Sequence, residues 1–401
     1  MTKYQCENLL VLKSEKSPTI TCRVFDQISD CTTCLASLKI PTLFLNADFL
    51  LCLEEAFLEE MQVRYLFFYD EDNLIGFAYC QIHPFMAEKS FKSYRSEQGA
   101  IGVKLRSVLA KLVRFKALVC GNLLLTGEYG SYFLPAYQNQ KFSILENAWD
   151  QLFKHLQIED DEVKVMFVKE YEEAKQERLR SAFSPQDYFL FSVQPSMIFH
   201  RVAQWLSFDD YLSALKSKYR IRVKAALKRR KVFSVKHLSL QDLRDEASTL
   251  QLLMQQVLDE SEFRIVNLHV NYLIILKEKF AEAFQLTGYY REDQLIGFMS
   301  YFIDGRILVA HLTGFDLTIN KRFDLYLNML IDLVDACIAR RSDALILSRT
   351  ALEIKSSIGA VPLPMINLLK HRSKSLNLAL PHVYQLLYEN EPWTQRRPFK
   401  A

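Results

Sequence analysis

Apolar residues fall in short blocks along this chain, and the charged residues between them sit where a chain must turn. Residues 64–69, RYLFFY, make one such block, DEDN supplies turn residues, and LIGFAYCQI resumes the apolar run, which predicts a β-hairpin. The same grammar returns later as FQLTGYY, the turn RED, LIGFMSYFI, the turn DG and RILVAHLTGF, a meander of three strands. Next, NKRFDLYLNMLIDLVDACIARR spaces Phe323, Leu325, Tyr326, Leu330, Leu333, Val334 and Cys337 close to three and four apart. That spacing predicts an amphipathic helix, closed by arginines that suit its C-terminal dipole. ALILS (344–348) then reads as a short strand, ALEIKSS as a short helix, Gly359 before AVPLP as a turn, and HVYQLLY (382–388) as a final strand.

The first half follows the same order. After LIGFAYCQI come an inserted helix around 102–117, the run ALVCGNLLLTG, a helix SILENAWDQLFKHL, a strand VKVMFVK, a helix near 171–181 and a strand YFLFSVQ. The likeness extends to the letters. YDEDNLIGFAY (69–79) and YREDQLIGFMS (290–300) agree at seven of eleven positions, an offset of 221 residues. Each copy is followed by Leu-Thr-Gly, at 125–127 and at 312–314, with about 34 further residues intervening in the first half. A period this long lies outside the range of solenoids and propellers and predicts two copies of a whole domain, 1–195 and 196–401. The connecting segment is QPSMIFHRVAQWLSFDD.

The order hairpin, third strand, long helix, strand, helix, strand resembles that of the GCN5-related N-acetyltransferase (GNAT) fold. In its doubled form the chain is similar to the FemAB-like and BioF2-like acyltransferases. YLSALKSKYRIRVKAALKRRK looks like the basic helix that opens the second domain of such proteins, and LILSRTALEIKSSIGAVP like their strand and glycine loop. The resemblance implies an α/β (α+β) architecture of two tandem acyl-CoA N-acyltransferase-like domains, each a mixed, mostly antiparallel sheet flanked by helices. It also implies an acyl-CoA donor, with aminoacyl-tRNA as the alternative, and an amine acceptor. Members that use acyl-CoA usually open the long helix with a glycine turn whose N–H groups hold the pyrophosphate. Here that place reads DLTINKRFDLY, without glycine, so Asn320 and Arg322 stand where side chains would replace those backbone contacts.

Charge adds one feature. The net charge is only +3, so a basic surface must be local. It is found at 216–231, where nine of sixteen residues are Lys or Arg on a helix with its own apolar stripe, opened by the capping pair Ser207 and Asp210. Lys216, Arg220, Arg222 and Lys224 are the candidate donor-binding cations, and Lys216 and Arg222 flank the stripe within reach of a cleft. A solvated helix face is the plainer alternative.

Arg349, Thr350, Glu353 and Lys355 follow the strand ALILS, at the C-terminal end where ligands collect in open α/β sheets. Arg349, Thr350 and Lys355 are candidates for an anionic acceptor, and Glu353 for a general base. His311 and Thr313 alternate onto one strand face, with His311 a second candidate base and strand amides near Thr313 available to polarise a carbonyl. In the first half the matching loop, VKEYEEAKQE, lacks this set and its glycine tail, which points to the second domain as the working one. The bland readings are a Glu–Lys surface pair, a helix cap and a packed histidine.

Dispersed cysteines within apolar segments read as reduced core residues, and the lone CxxC at Cys31 and Cys34 lacks partners for zinc, so no metal is expected. The segment MTKYQCENLLVLKSEK has no signal-peptide core and no apolar run reaches the ~20 residues of a membrane span, so the expectation is a cytoplasmic protein. The leading expectation is transfer of an acyl or aminoacyl group to an amine. The alternative is a catalytically silent protein of this fold that binds a phosphorylated ligand.

Overall fold

A computed structural model describes residues 10–13, 19–86, 114–260, 266–387 and 392–400. The chain forms two compact units. The first holds Met1–Val193, Phe263–Val266 and Met365–Glu389, and the second Gln194–Glu262, Asn267–Pro364 and Asn390–Ala401. Residues 196–401 therefore do not all stay together, because one late strand and the helix after it belong with the first unit.

In the first unit β1 (Leu10–Lys13) and β2 (Ile20–Phe25) lead through α1 (Thr32–Ser37) and α2 (Ala47–Ala56) to the hairpin β3 (Gln62–Asp70) and β4 (Asn73–Met86). There follow β5 (Arg114–Cys120), β6 (Ser131–Phe133), α3 (Lys141–Glu159), β7 (Val163–Glu172), α4 (Gln176–Ala182) and the start of β8 (Phe189–His200). The second unit continues with the end of β8, α5 (Phe208–Ala214), α6 (Ser217–Arg229), β9 (Ser234–His237), α7 (Leu240–Asp245), α8 (Ala247–Glu260) and α9 (Val270–Phe280). Its meander is β10 (Phe284–Arg291), β11 (Gln294–Asp304) and β12 (Ile307–Phe315), followed by α10 (Leu317–Phe323), α11 (Leu325–Ala339), β13 (Ala344–Ile346) and α12 (Leu352–Ser357). β14 (Val361–His371) and α13 (Lys374–Leu387) close the fold.

Sheet order is β1-β2-β3-β4-β5-β7-β14 in the first unit, with β6 also on β4, and β8-β13-β12-β11-β10-β9 in the second. Only β5–β7 and β12–β13 run parallel among these pairs. Each long helix covers one sheet face. Trp149, Leu145 and Leu152 of α3 pack in the core with Leu66, Cys80 and Met166, and Leu330, Leu333 and Val334 of α11 pack with Met299, Tyr301 and Leu308.

Several expectations give way here. HVYQLL (382–387) is not a strand but the end of α13, and Tyr388 lies outside the described residues. The real last strand is β14, whose residues 365–371 pair with β7 and bury Ile366 and Leu368 in the first core. Its prolines, Pro362 and Pro364, both precede the stretch paired with β7 and remove no donor from that ladder. The basic segment is two helices rather than one. The capping box of Ser207 and Asp210 starts α5, the chain extends at Leu215 and Lys216, and α6 begins at Ser217. Of the inserted helix, 102–113 lies outside the described residues and 114–117 is the start of β5.

The repeated phrase is a structural repeat. Gly76 stands opposite Phe68 and Gly297 opposite Tyr289, each hairpin slips register just after that pair, and each closes through a turn with left-handed Glu71 or Glu292. On the other side Gly76 faces Phe133 and Gly297 faces Phe315. A Cβ on Gly76 would lie 2.6 Å from the Phe133 ring, and one on Gly297 2.7 Å from Met329. The two Leu-Thr-Gly phrases are not equivalent, since Leu312-Thr313-Gly314 is strand whereas Leu125-Thr126-Gly127 lies in the loop between β5 and β6.

Gly76→Ala should therefore destabilise the first unit by roughly 1–3 kcal/mol, the range for overpacking a buried contact. Gly305→Ala, in open space at φ +58°, should cost only about 1 kcal/mol through backbone strain. Urea unfolding of both variants checks the order; equal losses would contradict the close-approach account.

Candidate functional site

The fourth strand of the second unit breaks its own alternation. β11 and β12 pair as Met299↔Thr313 and then as Tyr301↔Ala310, so Ser300 faces both His311 and Leu312. The Ser300 hydroxyl fills the irregularity, donating to the Leu312 carbonyl and accepting from its amide, both at 3.0 Å. An inserted residue turns the strand over. His311 and Thr313, expected on one face, consequently point to opposite ones. The His311 Nε2 lies 3.0 Å from the Tyr272 hydroxyl of α9, while the Thr313 hydroxyl donates to the Phe298 carbonyl and touches Met329 of α11.

Beyond the bulge, Asp316 N–H donates to the Ile296 carbonyl, which fixes the alternation of ladder bonds. That alternation turns the amides of Thr313 and Phe315 away from β11. On that other side β13 ends at Ile346, opposite Val309. Among the described residues neither amide has an acceptor. Gly314 is required for a different reason, because a Cβ there would meet the backbone of α8 at Met254 N, 2.6 Å away.

The chain after β13 is strained. Ser348, Thr350 and Ala351 all have left-handed backbones, φ +59°, +65° and +48°, and Thr350 is β-branched. Lys355 holds this loop from below. Its buried ammonium donates to the carbonyls of Leu347 and Arg349, both at 2.6 Å, and burial, with Arg349 nearby, pushes its pKa down to about 7. Arg349 is half-buried and Thr350 exposed at the same strand end.

Glu353 faces elsewhere. It accepts from Arg396 at 2.7 Å and from the Thr394 amide at 3.0 Å, and the Arg396 guanidinium holds its carboxyl below the usual range. Arg396 N–H also donates to Ser356, and a Cβ on Gly359 would strike the Phe399 ring at 2.3 Å. The small-residue tail SSIGA is thus the seat of the segment 392–400. His311 is enclosed by the rings of Tyr272, Phe284 and Phe302, and burial pushes its pKa down to about 3.

The basic helix packs on α11 through Val223 and Ala226. Arg229 pairs with Asp324 and Arg230 with Asp332, whereas Arg220, Arg222 and Lys224 pair with no carboxylate among the described residues. Lys216 donates to the Arg397 carbonyl at 3.2 Å. At the start of α11 the Asn320 side chain accepts from the Tyr326 amide at 2.8 Å, and left-handed Asp324 breaks α10 from α11. Asn320 is therefore a cap, placed there by a helix break that the sequence pattern read as continuous. Arg322 lies over the Phe323 ring at 5.1 Å, and Arg291 over the same ring at 5.4 Å.

In the first unit the bulge position is filled. Cys80↔Cys120 and Ala78↔Ser131 match Tyr301↔Ala310 and Met299↔Thr313, so residues 121–130 stand where His311 and Leu312 stand in the second. This loop is bound across the end of β7. The Lys169 ammonium donates to the Leu125 carbonyl at 2.6 Å, Glu170 accepts from the Gly127 amide at 2.7 Å, and the two side chains pair at 2.7 Å, almost fully buried. Gln81 accepts from the Leu123 amide at 2.8 Å. The sequence places Lys169 and Glu170 where the second half has Arg349 and Thr350, and two adjacent charges directly after the apolar run VMFV are the signal that they form a buried pair.

The chain is similar to several solved structures. FemX matches at 9% identity over 85% of this chain and 93% of that one, with a TM-score of 0.49. A tandem GNAT protein from the clavulanic acid biosynthesis pathway matches at 9% over 85% and 93%, TM-score 0.47. L-PGS from Bacillus licheniformis matches at 12% over 85% and 95%, TM-score 0.43. No family model and no curated protein matches. In both units the fold is a mixed, mostly antiparallel sheet flanked by helices. Among the described residues no helix is long and apolar enough to cross a membrane.

The neutral state of His311 has a consequence for acid stability. Its folded pKa, about 3, lies below the ~6.5 of an unfolded chain, so between those values only the unfolded state binds the proton. That stability is complete above about pH 6.5 and is lost as pH falls toward 3. His311→Gln, which keeps a partner for Tyr272, should show a shallower loss between pH 6.5 and 4 in urea titrations; an unchanged slope would mean the imidazole titrates normally.

Proposed function

We propose that the protein transfers an acyl or aminoacyl group from a CoA or tRNA donor to an amine, and that the second unit does the work. The observation behind this reading is the bulge in β12, which leaves the Thr313 and Phe315 amides directed into the space where β13 has ended. A thioester or ester carbonyl accepting from such amides would gain stabilisation as negative charge develops on its oxygen during attack by the amine. Positioning supplies the rest of the rate. Arg349 and Thr350, on the strained loop beside the strand end, suit an anionic group of the acceptor, and Lys355 keeps that loop in shape.

The donor's phosphates fall to side chains. Asn320 and Asp324 already occupy the start of α11, which disfavours a phosphate there and leaves Arg220, Arg222, Lys224 and Arg322 as its partners, with Lys216 partly engaged by Arg397. Glu353 and Arg396 pin the segment 392–400 in this reading, and the attacking amine gives its proton to solvent. In the first unit the loop 121–130 covers the corresponding strand end, so that unit serves as scaffold.

A second reading has its own support. His311 is enclosed and Glu353 is ion-paired, so neither stands as a base, which suits a silent protein that holds a phosphorylated ligand without turnover.

Titration with acetyl-CoA, longer acyl-CoAs and charged tRNA, followed by thiol release or ester loss with added amines, separates the two. Arg220→Ala, Arg222→Ala and Lys224→Ala together should weaken donor binding ten-fold or more and flatten its salt dependence. Arg349→Ala should lower transfer by ten-fold or more, about 1.4 kcal/mol, at unchanged thermal stability. Binding without turnover favours the silent reading. An absence of binding by every donor refutes both.

A further inference from the structure

The first unit contains a cavity of about 260 Å³, far from the features above in its chemistry, between α4, the turn before β8 and α13. It is a half-open groove with an apolar floor and a rim of mixed polarity. Leu368 of β14, Phe183 and Tyr188 are buried there, and Leu378 of α13, 74% exposed, stands at the rim. The polar groups that line it are mostly engaged. Tyr188 donates its hydroxyl to Glu146 at 3.4 Å, and the Asn377 side chain accepts from the His371 amide at 2.8 Å and donates to the Asp187 carbonyl at 3.0 Å.

Among the charged groups the exception is Arg180. It lines the cavity, is exposed, and has no hydrogen-bond or acidic partner among the described residues. No lining residue carries a carboxylate. An open groove with a buried apolar floor and an unpaired guanidinium at its edge is complementary to a molecule with an apolar body and one anionic end, since guanidinium matches a carboxylate with two parallel bonds. The volume sets the size. Pockets for drug-sized ligands run from about 300 to 1,000 Å³, so the occupant is smaller than those. Leu368, Phe183 and the Tyr188 ring offer flat and branched apolar contact, which suits a compact aromatic or branched body.

We propose that this cavity binds a small monocarboxylate with an aromatic or branched aliphatic body, its carboxylate on Arg180 and its body against Leu368, Phe183 and Tyr188. The site is independent of the transfer reading, since none of its residues belongs to the second unit. It would let a small acid stabilise the fold around β14 and α13, the part of the first unit supplied by the far end of the chain.

Calorimetric titration of the full chain with 3-phenylpropanoate and 4-methylpentanoate, with 3-phenylpropanamide as the uncharged control, tests it. Saturable binding of an acid is expected, with the amide at least ten-fold weaker. Arg180→Ala should weaken the acid to the level of the amide, and Leu378→Trp, which fills the mouth from an exposed position, should block both. Unchanged circular dichroism melting verifies that each variant is folded. No binding of either acid at millimolar concentration would overturn the proposal. So would equal binding of acid and amide, or acid binding that survives Leu378→Trp.

Discussion

The contact on which most of this structure depends is the approach of a phenylalanine across a glycine between the third and fourth strands. Phe133 over Gly76, and Met329 together with Phe315 over Gly297, leave no room for a Cβ, and each glycine–phenylalanine pairing fixes the register of its strand pair at one point. Once that point is fixed, any residue added upstream in the fourth strand must be absorbed locally, because slipping the whole strand would turn its apolar residues out of the core. The second unit absorbs its extra residue as a bulge closed by one serine hydroxyl. The first absorbs a loop of ten residues, and a buried ion pair is what holds that loop down.

The sequence carried the constraint but not its effect. EDNLIGF and EDQLIGF recur because a left-handed turn, a strand and a glycine under an aromatic ring each demand particular residues, and those demands are local. The helix periods of α3 and α11 were legible for the same reason. The bulge was not, since alternation along one strand cannot reveal how many residues face a single partner on the next. His311 and Thr313 were therefore assigned to one face and stand on two. Asn320 was noted at a helix start, but the break at Asp324 that makes it a cap depends on a left-handed aspartate, which the apolar spacing does not mark. Glu353 looked catalytic because its partner Arg396 lies 43 positions away in sequence.

β14 was hidden by a different cause. Prolines weaken a strand pattern, and VPLP directly precedes MINLLKH, although only the second half of the segment enters the ladder with β7. HVYQLLY, rich in β-formers, then took the vacant role of last strand. Its helical state is decided by packing, as the Tyr384 ring lies tilted against Phe191 with ring centres 4.8 Å apart and its hydroxyl donates to the Ser192 carbonyl. Tertiary contact overrode propensity there, as it commonly does for short mixed segments.

Two buried lysines show how one framework yields different ends. Lys169 and Lys355 both bring an ammonium to backbone carbonyls at the C-terminal end of a fifth strand, where the backbone also turns left-handed at Glu170 or Ser348. A buried ammonium is costly unless its donors are used, so each lysine ties down whatever chain carries those carbonyls. In the first unit that chain is the inserted loop, and the neighbouring Glu170 adds a second bond to it, so the strand end is closed by the protein itself. In the second unit the carbonyls belong to the loop that follows the strand, and among the described residues no loop is drawn across the end of β12. The same interaction thus closes one strand end and props the other open, and the difference traces to how many residues each fourth strand had to absorb past its fixed phenylalanine.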